Sequence, residues 1–206
     1  NLYPGDYIKE IAENILKNNN NLEIENFDNC FEQLKKLSLE GSMTFIKDDL
    51  KKLGIMHDNF VSETDLVKKD LVSKTIKKLK NKNFVMEGYL DRPKGETPKN
   101  WKKIKRLIFK STEFGDDTDR ALQKDDGSWT YFANDVAYHF DKINRRYDNL
   151  INILGADHIG YVKRISSAVS ALSNKKVKLD CKICQLVKLY KKGQPFKMSK
   201  RSGDFI

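Results

Sequence analysis

The feature that most constrains this chain lies in its last third. A short apolar run, "NLINILGA" (149–156), is followed by the amphipathic stretch "YVKRISSAVSALS" (161–173) and then by a second apolar run, "VKLDCKICQLVKLY" (177–190). Two strands joined through a helix of this length cannot form a hairpin; the crossover makes them parallel. Strands of that kind are expected to be buried on both faces, so the pattern predicts an α/β fold. In such sheets ligands bind off the carboxyl ends of the strands. Gly155, Asp157 and His158 fall at the end of the first strand and Lys197–Arg201 just beyond the second, which predicts one shared rim.

Upstream the period is helical. In "GDYIKEIAENILKN", Ile8, Ile11, Ala12, Ile15 and Leu16 share one face, with Asp6 as the expected N-cap. "FDNCFEQLKKLSLEG" and "SMTFIKDDLKKLGI" predict two more helices, each closed by a glycine, Gly41 and Gly54. "TDLVKKDLVSKTIKKLKNKN" turns Leu66, Leu71, Ile76 and Leu79 inward and its lysines outward. The period then shortens. Antiparallel strands are expected at about 84–90 and 105–110, and "RALQKDDGSWTYF" has two strand-like arms around Asp-Asp-Gly, a hairpin signal. "ANDVAYHFDKINRRYD" returns to helix, with Val136, Phe140, Ile143 and Tyr147 on one stripe.

Composition bears on partners more than on fold. The formal charge of +10 is unevenly placed: −6 over residues 1–65, +11 over 66–110 and +5 over 111–206. Such a block is a better sign of a phosphate-facing surface than an even spread, although 32 Lys against 7 Arg also fits an AT-rich genome. No apolar run approaches the roughly 18 residues of a membrane span, and no signal-like segment opens the chain. A cytoplasmic protein without a membrane partner is expected. The chain starts at "NLYPGDYIKEI" without a Met and stops at Ile206, as a piece of a longer protein would. The CxxC pair Cys181 and Cys184 has no second pair to complete a zinc site, and on a strand the two thiols face opposite ways. Together with Cys30 they read as small buried residues in a reducing compartment. "FGDDTDR" lacks a ligand ladder and reads as a solvent-facing turn, so no metal site is expected.

Three places carry chemistry. Lys197, Met198, Ser199 and Lys200, with Arg201, form a basic loop suited to a triphosphate, where the charges can neutralise a leaving pyrophosphate. Gly193 and Gly203 flank the loop and would let it move; a solvated basic turn is the plain alternative. In "TYFANDVAYHFDK", a helix from near Ala133 would leave Tyr131 at a strand end and Asp135 in the first turn. An acid beside an aromatic ring suits a guanidinium or ammonium group, while a mere helix-start role for Asp135 stays open. His139 reads as a packing histidine. The third place is "GADHIGYVKR" (155–164), whose His-Ile-Gly-Tyr is one letter short of His-Ile-Gly-His, a nucleotide-binding signature of class I aminoacyl-tRNA synthetases. Lys-Met-Ser-Lys is the other signature of that class.

Six stretches, "YPGDYIKEIA", "MTFIKDDLKKLGI", "FKSTEFGDDTDRALQKDDGSWTYFANDVAYHFDK", "INILGADHIGYVKR", "CQLVKL" and "FKMSKRSGDF", run in order from residue 3 to residue 205. Together they resemble arginyl-tRNA synthetase in its bacterial, and particularly its alphaproteobacterial, form. The resemblance implies the second half of a class I nucleotide-binding (Rossmann-like) fold with parallel strands, plus a helical and small antiparallel insertion. It implies a helical segment at 1–65, a basic insertion at 66–130 and the second half of the nucleotide fold at 131–206. Tyr131, Asp135 and His158 are then expected at arginine. Gly155, Asp157, His158, Lys197, Met198, Ser199 and Lys200 are expected at ATP, with Lys197 and Lys200 catalytic. ATP would enter as its Mg2+ complex, a substrate rather than a tightly bound cofactor. tRNA(Arg) and L-arginine are the other implied partners, and the parent enzyme is expected as a monomer.

By the same resemblance the true His-Ile-Gly-His element lies upstream of "YPGDYI", and the letters at 158–160 are fortuitous. Only one strand–helix–strand repeat separates His158 from Lys197, whereas the two signatures belong to the two halves of a split fold. The chain alone is therefore expected to be inactive. Another class I synthetase or nucleotidyltransferase, a non-catalytic RNA-binding module and a zinc ribbon built on "CKIC" are the other readings.

Overall fold

The computed structural model describes residues 5–22, 24, 26–90 and 103–196. The basic residues at 91–102 and the segment Lys197, Met198, Ser199, Lys200, Arg201, with Gly203, lie outside the described residues. The chain divides into two compact units, one of residues 61–186 and one of residues 1–60 with 187–206.

In the 1–60 stretch, helix α1 (Asp6–Asn18) packs on α2 (Phe27–Lys52) through the buried Ile11 and Ile15. Ile8 and Leu16, expected on the same face, are exposed. Gly5, not Asp6, is the N-cap; Asp6 lies inside the first turn and pairs with Lys9 at 3.0 Å. The two helices expected around Gly41 are one. Gly41 sits within α2, where a Cβ would lie 2.9 Å from Ile11 Cγ2, so its missing side chain serves close packing rather than termination. Gly54 does terminate. At φ +75° its N–H reaches the Lys51 carbonyl (2.9 Å) and Ile55 N–H reaches that of Leu50 (2.8 Å), a Schellman closure.

The 61–186 unit opens with α3 (Glu63–Lys68), capped by Ser62, and α4 (Leu71–Asn81). Asp70 at φ 53° breaks the single helix expected here into these two. Leu66, Ile76 and Leu79 are buried and Leu71 half-buried, as the periodicity predicts. Strands β1 (Val85–Gly88) and β2 (Arg106–Phe109) pair antiparallel with Val85 opposite Phe109, and β3 (Arg120–Ala121) adds to β2. The Asp125-Asp126-Gly127 turn closes through Lys124 N–H to Ser128 C=O (2.8 Å), with Gly127 at φ +79°. Its second arm is shorter than expected. After the Gln123–Trp129 bridge, Thr130 caps α5 (Tyr131–Asn144) by accepting from Ala133 N–H at 3.2 Å. The helix thus begins at Tyr131, which does not end a strand, and Asp135 lies beyond the first turn. Val136 is buried and Phe140 and Ile143 pack on the core, but Tyr147 follows the helix end and is exposed.

Strand β4 (Asn149–Gly155), a 3₁₀ helix (Ala156–Tyr161), α6 (Val162–Ser173) and β5 (Lys178–Cys184) form the expected unit, with β4 and β5 parallel from Asn149–Lys178 to Gly155–Cys184. The chain is mixed α/β with a parallel pair. Burial on both faces does not hold: Leu150 is buried, but Ile151 and Ile153 on the opposite face are 60% and 66% exposed. Cys181 is half-buried against the core and Cys184 exposed on the other side, so only Cys181 and Cys30 fit the expectation of small buried thiols. One core holds this unit together. Val72, Ile76 and Leu79 of α4, Val85, Phe109 and Leu122 meet Phe132, Val136, Ile165 and Leu172 of α5 and α6. Each such side chain contributes roughly 1.5–3 kcal/mol on burial. The segments expected as insertion and as nucleotide fold share that core across position 130.

Beyond β5 the apolar run does not continue as one strand. Leu189–Lys191 (β6) turns through Lys192 (φ 51°) and Gly193 (φ +75°) into Gln194–Phe196 (β7). Two consecutive positive φ values mark a two-residue hairpin turn, which is the use made of Gly193. Lys197 therefore follows a hairpin and not the end of a parallel strand. Among the described residues no helix is long and apolar enough to cross a membrane, and no group of three His, Cys, Asp or Glu could hold a metal ion.

Candidate active site

Helix α5 presents Tyr131 and Asp135 one turn apart. Tyr131 is 80% exposed, with the Lys124 ammonium 5.7 Å from its ring centre. Asp135 is half-buried. Its Oδ2 accepts a short hydrogen bond from the hydroxyl of Tyr161, the last residue of the 3₁₀ helix, 26 positions along the chain. Burial and the adjacent Asp135 charge push the Tyr161 phenol far above its ordinary pKa, so it remains a donor at any physiological pH. The ring is held by Phe132, edge to face at 6.4 Å, and by the Arg164 guanidinium 5.2 Å from its centre. Among the described residues the Asp135 carboxylate has no ion-pair partner and Oδ1 no hydrogen bond. A half-buried, unneutralised carboxylate beside an exposed ring suits a guanidinium or ammonium ligand.

Behind this face runs a polar row. Lys142 donates to Asn152 Oδ1 (3.0 Å), Asn152 Nδ2 meets His139 Nε2 (2.9 Å), and His139 Nδ1 meets the Asp135 carbonyl (2.8 Å). An ammonium can only donate, which turns the Asn152 amide nitrogen toward His139 and makes Nε2 an acceptor. The ring proton is then on Nδ1, aimed at the backbone of Asp135. Burial lowers the pKa of both His139 and Lys142, with Arg145 adding to the effect at Lys142. His139 is buried with both ring nitrogens partnered, as a packing histidine would be.

The 3₁₀ helix carries the residues expected at ATP. Gly155 closes β4, and a Cβ there would lie 2.6 Å from Asp157 Oδ1. Asp157 and His158 are exposed, with His158 Nε2 3.6 Å from Asp157 Oδ2. Among the described residues no hydrogen bond or ion pair links His158 to Asp135 or Tyr131; Tyr161 is what ties its segment to α5. Lys197, Met198, Ser199 and Lys200 lie outside the described residues.

The "FGDDTDR" turn also differs from expectation. Asp116 is buried, and its two oxygens accept from Arg120 Nε and Nη2, both at 2.7 Å. Burial alone would raise the Asp116 carboxyl, but hydrogen bonds from Arg120 and the Asp117 N–H hold it below its usual range. Asp117 pairs with Lys163 at 2.8 Å, which fixes the turn to the start of α6. Arg164, next along, has its Nε buried without a hydrogen-bond partner among the described residues, and burial followed by the charge of Arg120 lowers its pKa.

The chain is 59% identical over 205 residues to the arginine–tRNA ligase of Pelagibacter ubique and 50% identical over 206 residues to that of Ehrlichia chaffeensis. Over its whole length this chain is similar to arginine–tRNA ligases. It spans 36% of the length of each of these two curated relatives. A solved structure of a candidate arginyl-tRNA synthetase from Campylobacter jejuni matches 96% of this chain and 40% of its own, with TM-score 0.74 and 30% identity. The arginyl-tRNA synthetase of Plasmodium falciparum matches 86% of this chain at TM-score 0.54 and 19% identity, a likeness of fold alone. No family model matches.

The resemblance to arginyl-tRNA synthetases read from six short stretches therefore extends through the whole chain. Tyr161, which binds the Asp135 carboxylate, and Asn152 and Lys142 in the row behind it are groups at the candidate site that the sequence did not single out. Tyr161 stood inside the "GADHIGYVKR" stretch, yet its contact with Asp135 spans too many residues for any local period to reveal it.

Proposed function

We propose that this chain is part of an arginine–tRNA ligase and supplies its arginine-recognition wall. The observation that carries the reading is end-to-end similarity to such ligases in a chain that presents a half-buried carboxylate, Asp135, with no ion-pair partner among the described residues, beside Tyr131. The parent activity would be activation of arginine by ATP, entering with Mg2+ as a substrate complex, and transfer of the arginyl group to tRNA(Arg) in the cytoplasm by a monomeric enzyme. In that reaction the arginine carboxylate attacks the α-phosphorus of ATP and pyrophosphate leaves. No enzyme nucleophile is needed, so the protein contributes position and charge.

On this reading Asp135 faces the guanidinium, and Tyr131 lies along its plane. His158, with Gly155 and Asp157, borders arginine and the ATP ribose. Lys197 and Lys200, with Met198 and Ser199, grip the phosphates during activation. Residues 131–206 belong to the second half of a class I Rossmann-like fold and 66–130 to an insertion, with the basic block toward tRNA. The parallel β4–β5 pair with His158 off its carboxyl end supports that assignment by the general rule for α/β sheets.

The test is Asp135→Ala in the full-length ligase. The KM for arginine should rise about thirtyfold or more, since truncating one partner of a buried charge pair costs about 2–5 kcal/mol, while the KM for ATP changes little. Equal loss for both substrates would remove Asp135 from arginine recognition. The 206-residue chain by itself should show no arginylation of tRNA, and measurable charging by the pure chain would overturn that expectation.

A further inference from the structure

We propose that Tyr161 is a positioning residue for amino-acid recognition: its hydroxyl fixes the Asp135 carboxylate through one oxygen and leaves the other, Oδ1, to the substrate's guanidinium. The inference rests on the reading of Asp135 given above and adds a residue to it. A carboxylate on a half-buried helix surface turns readily about its last torsion, and a planar guanidinium is bound well only by an oxygen held in place. The Tyr161 hydroxyl donates to Oδ2, which stops that rotation.

The chemistry of the donor matters as much as its place. A lysine or arginine in the same position would orient the carboxylate but cancel its charge and compete with the ligand. A phenol orients without neutralising. Tyr161 is itself immobilised, with Phe132 against its ring edge and the Arg164 guanidinium over its face. Arg164 has its Nε buried with no hydrogen-bond partner among the described residues, so its contact with the ring is not a by-product of a stronger polar bond at that nitrogen. Tyr161 also ends the 3₁₀ helix that carries Asp157 and His158. The same hydrogen bond thus fixes that segment to α5.

The experiment is Tyr161→Phe in the full-length ligase, alone and with Asp135→Ala. Phenylalanine keeps the ring packing on Phe132 and Arg164 and removes only the hydroxyl. Loss of one hydrogen bond to a charged group predicts a rise of about tenfold in the KM for arginine, with the KM for ATP unchanged and the melting temperature lowered by only a few degrees. The double variant should be no worse for arginine than Asp135→Ala alone. If Tyr161→Phe leaves the arginine KM within about twofold while Asp135→Ala raises it, positioning by Tyr161 is wrong and the reading of Asp135 stands. A parallel loss for arginine, ATP and thermal stability would mark Tyr161 as merely structural and overturn the proposal. If Asp135→Ala does not single out arginine, the underlying reading fails and the proposal with it.

Discussion

Replacing Asp116 with Asn tests the buried pair that holds the 115–120 turn. The carboxylate is fully buried as a side chain and binds Arg120 through both oxygens, while Arg120 remains 22% exposed. Asparagine keeps the shape but leaves the Arg120 guanidinium with only the exposed Asp117 as counter-charge, near Arg164, whose cation is already disfavoured by burial and by Arg120. Breaking a buried pair from one side typically costs 3–5 kcal/mol. Arg120 can relax toward water, so a loss of about 2–3 kcal/mol is expected, or roughly 10 °C in the melting temperature of a unit this size. The assay is urea unfolding followed by Trp129, which packs on the same core, in a Trp101→Phe background.

The pH dependence gives a second reading of the same group. Asp116 is held below its ordinary pKa when folded, so its stabilisation is complete above the unfolded value near 3.9 and is lost as pH falls through the folded one. Asp116→Asn should flatten that acid limb. Arg120→Met in the Asp116→Asn background should recover part of the loss, because it removes the stranded charge. An Asp116→Asn variant that unfolds within about 0.5 kcal/mol of the parent would refute the argument.

Two further outcomes follow from the packing. Gly41→Leu should destabilise the α1–α2 pair by about 1–3 kcal/mol, although leucine is the better helix former, because the new side chain meets Ile11; unchanged hydrogen-exchange protection in α1 would count against close packing at Gly41. His139, whose pKa burial lowers, favours its neutral form in the native state. Stability should be complete above about pH 6.5 and decline as pH falls toward the folded pKa, and His139→Gln should abolish that slope in a pH series of thermal melts.

What could be read from the residues was what local period determines. The Asp-Asp-Gly turn and the Gly54 closure rest on a few adjacent residues, and the parallel β4–β5 and antiparallel β1–β2 pairs on short periods met one after another along the chain. Gly41 failed because a glycine after an apolar run looks the same whether it ends a helix or admits a neighbouring side chain. The start of α5 was placed late because Trp129 and Tyr131 resemble a strand, while the cap at Thr130 decides the matter. Asp116 and Arg120 are close in sequence but not in a helix, so nothing local shows that the pair is buried. For the candidate site, Tyr131, Asp135 and His158 came from motifs. Tyr161 and Asn152 acquire their meaning only when α5 meets the 3₁₀ helix and β4.

The row from Lys142 through Asn152 to His139 is satisfied in one direction only. A row with a single sense is fixed from either end. The Asp135 carbonyl can only accept, so it holds the ring proton of His139 on Nδ1, and Nε2 keeps the Asn152 amide nitrogen turned toward it even without the Lys142 amine. The nitrogen resonances of this buried imidazole should thus show one tautomer, with the proton on Nδ1, whether or not Lys142 is acylated.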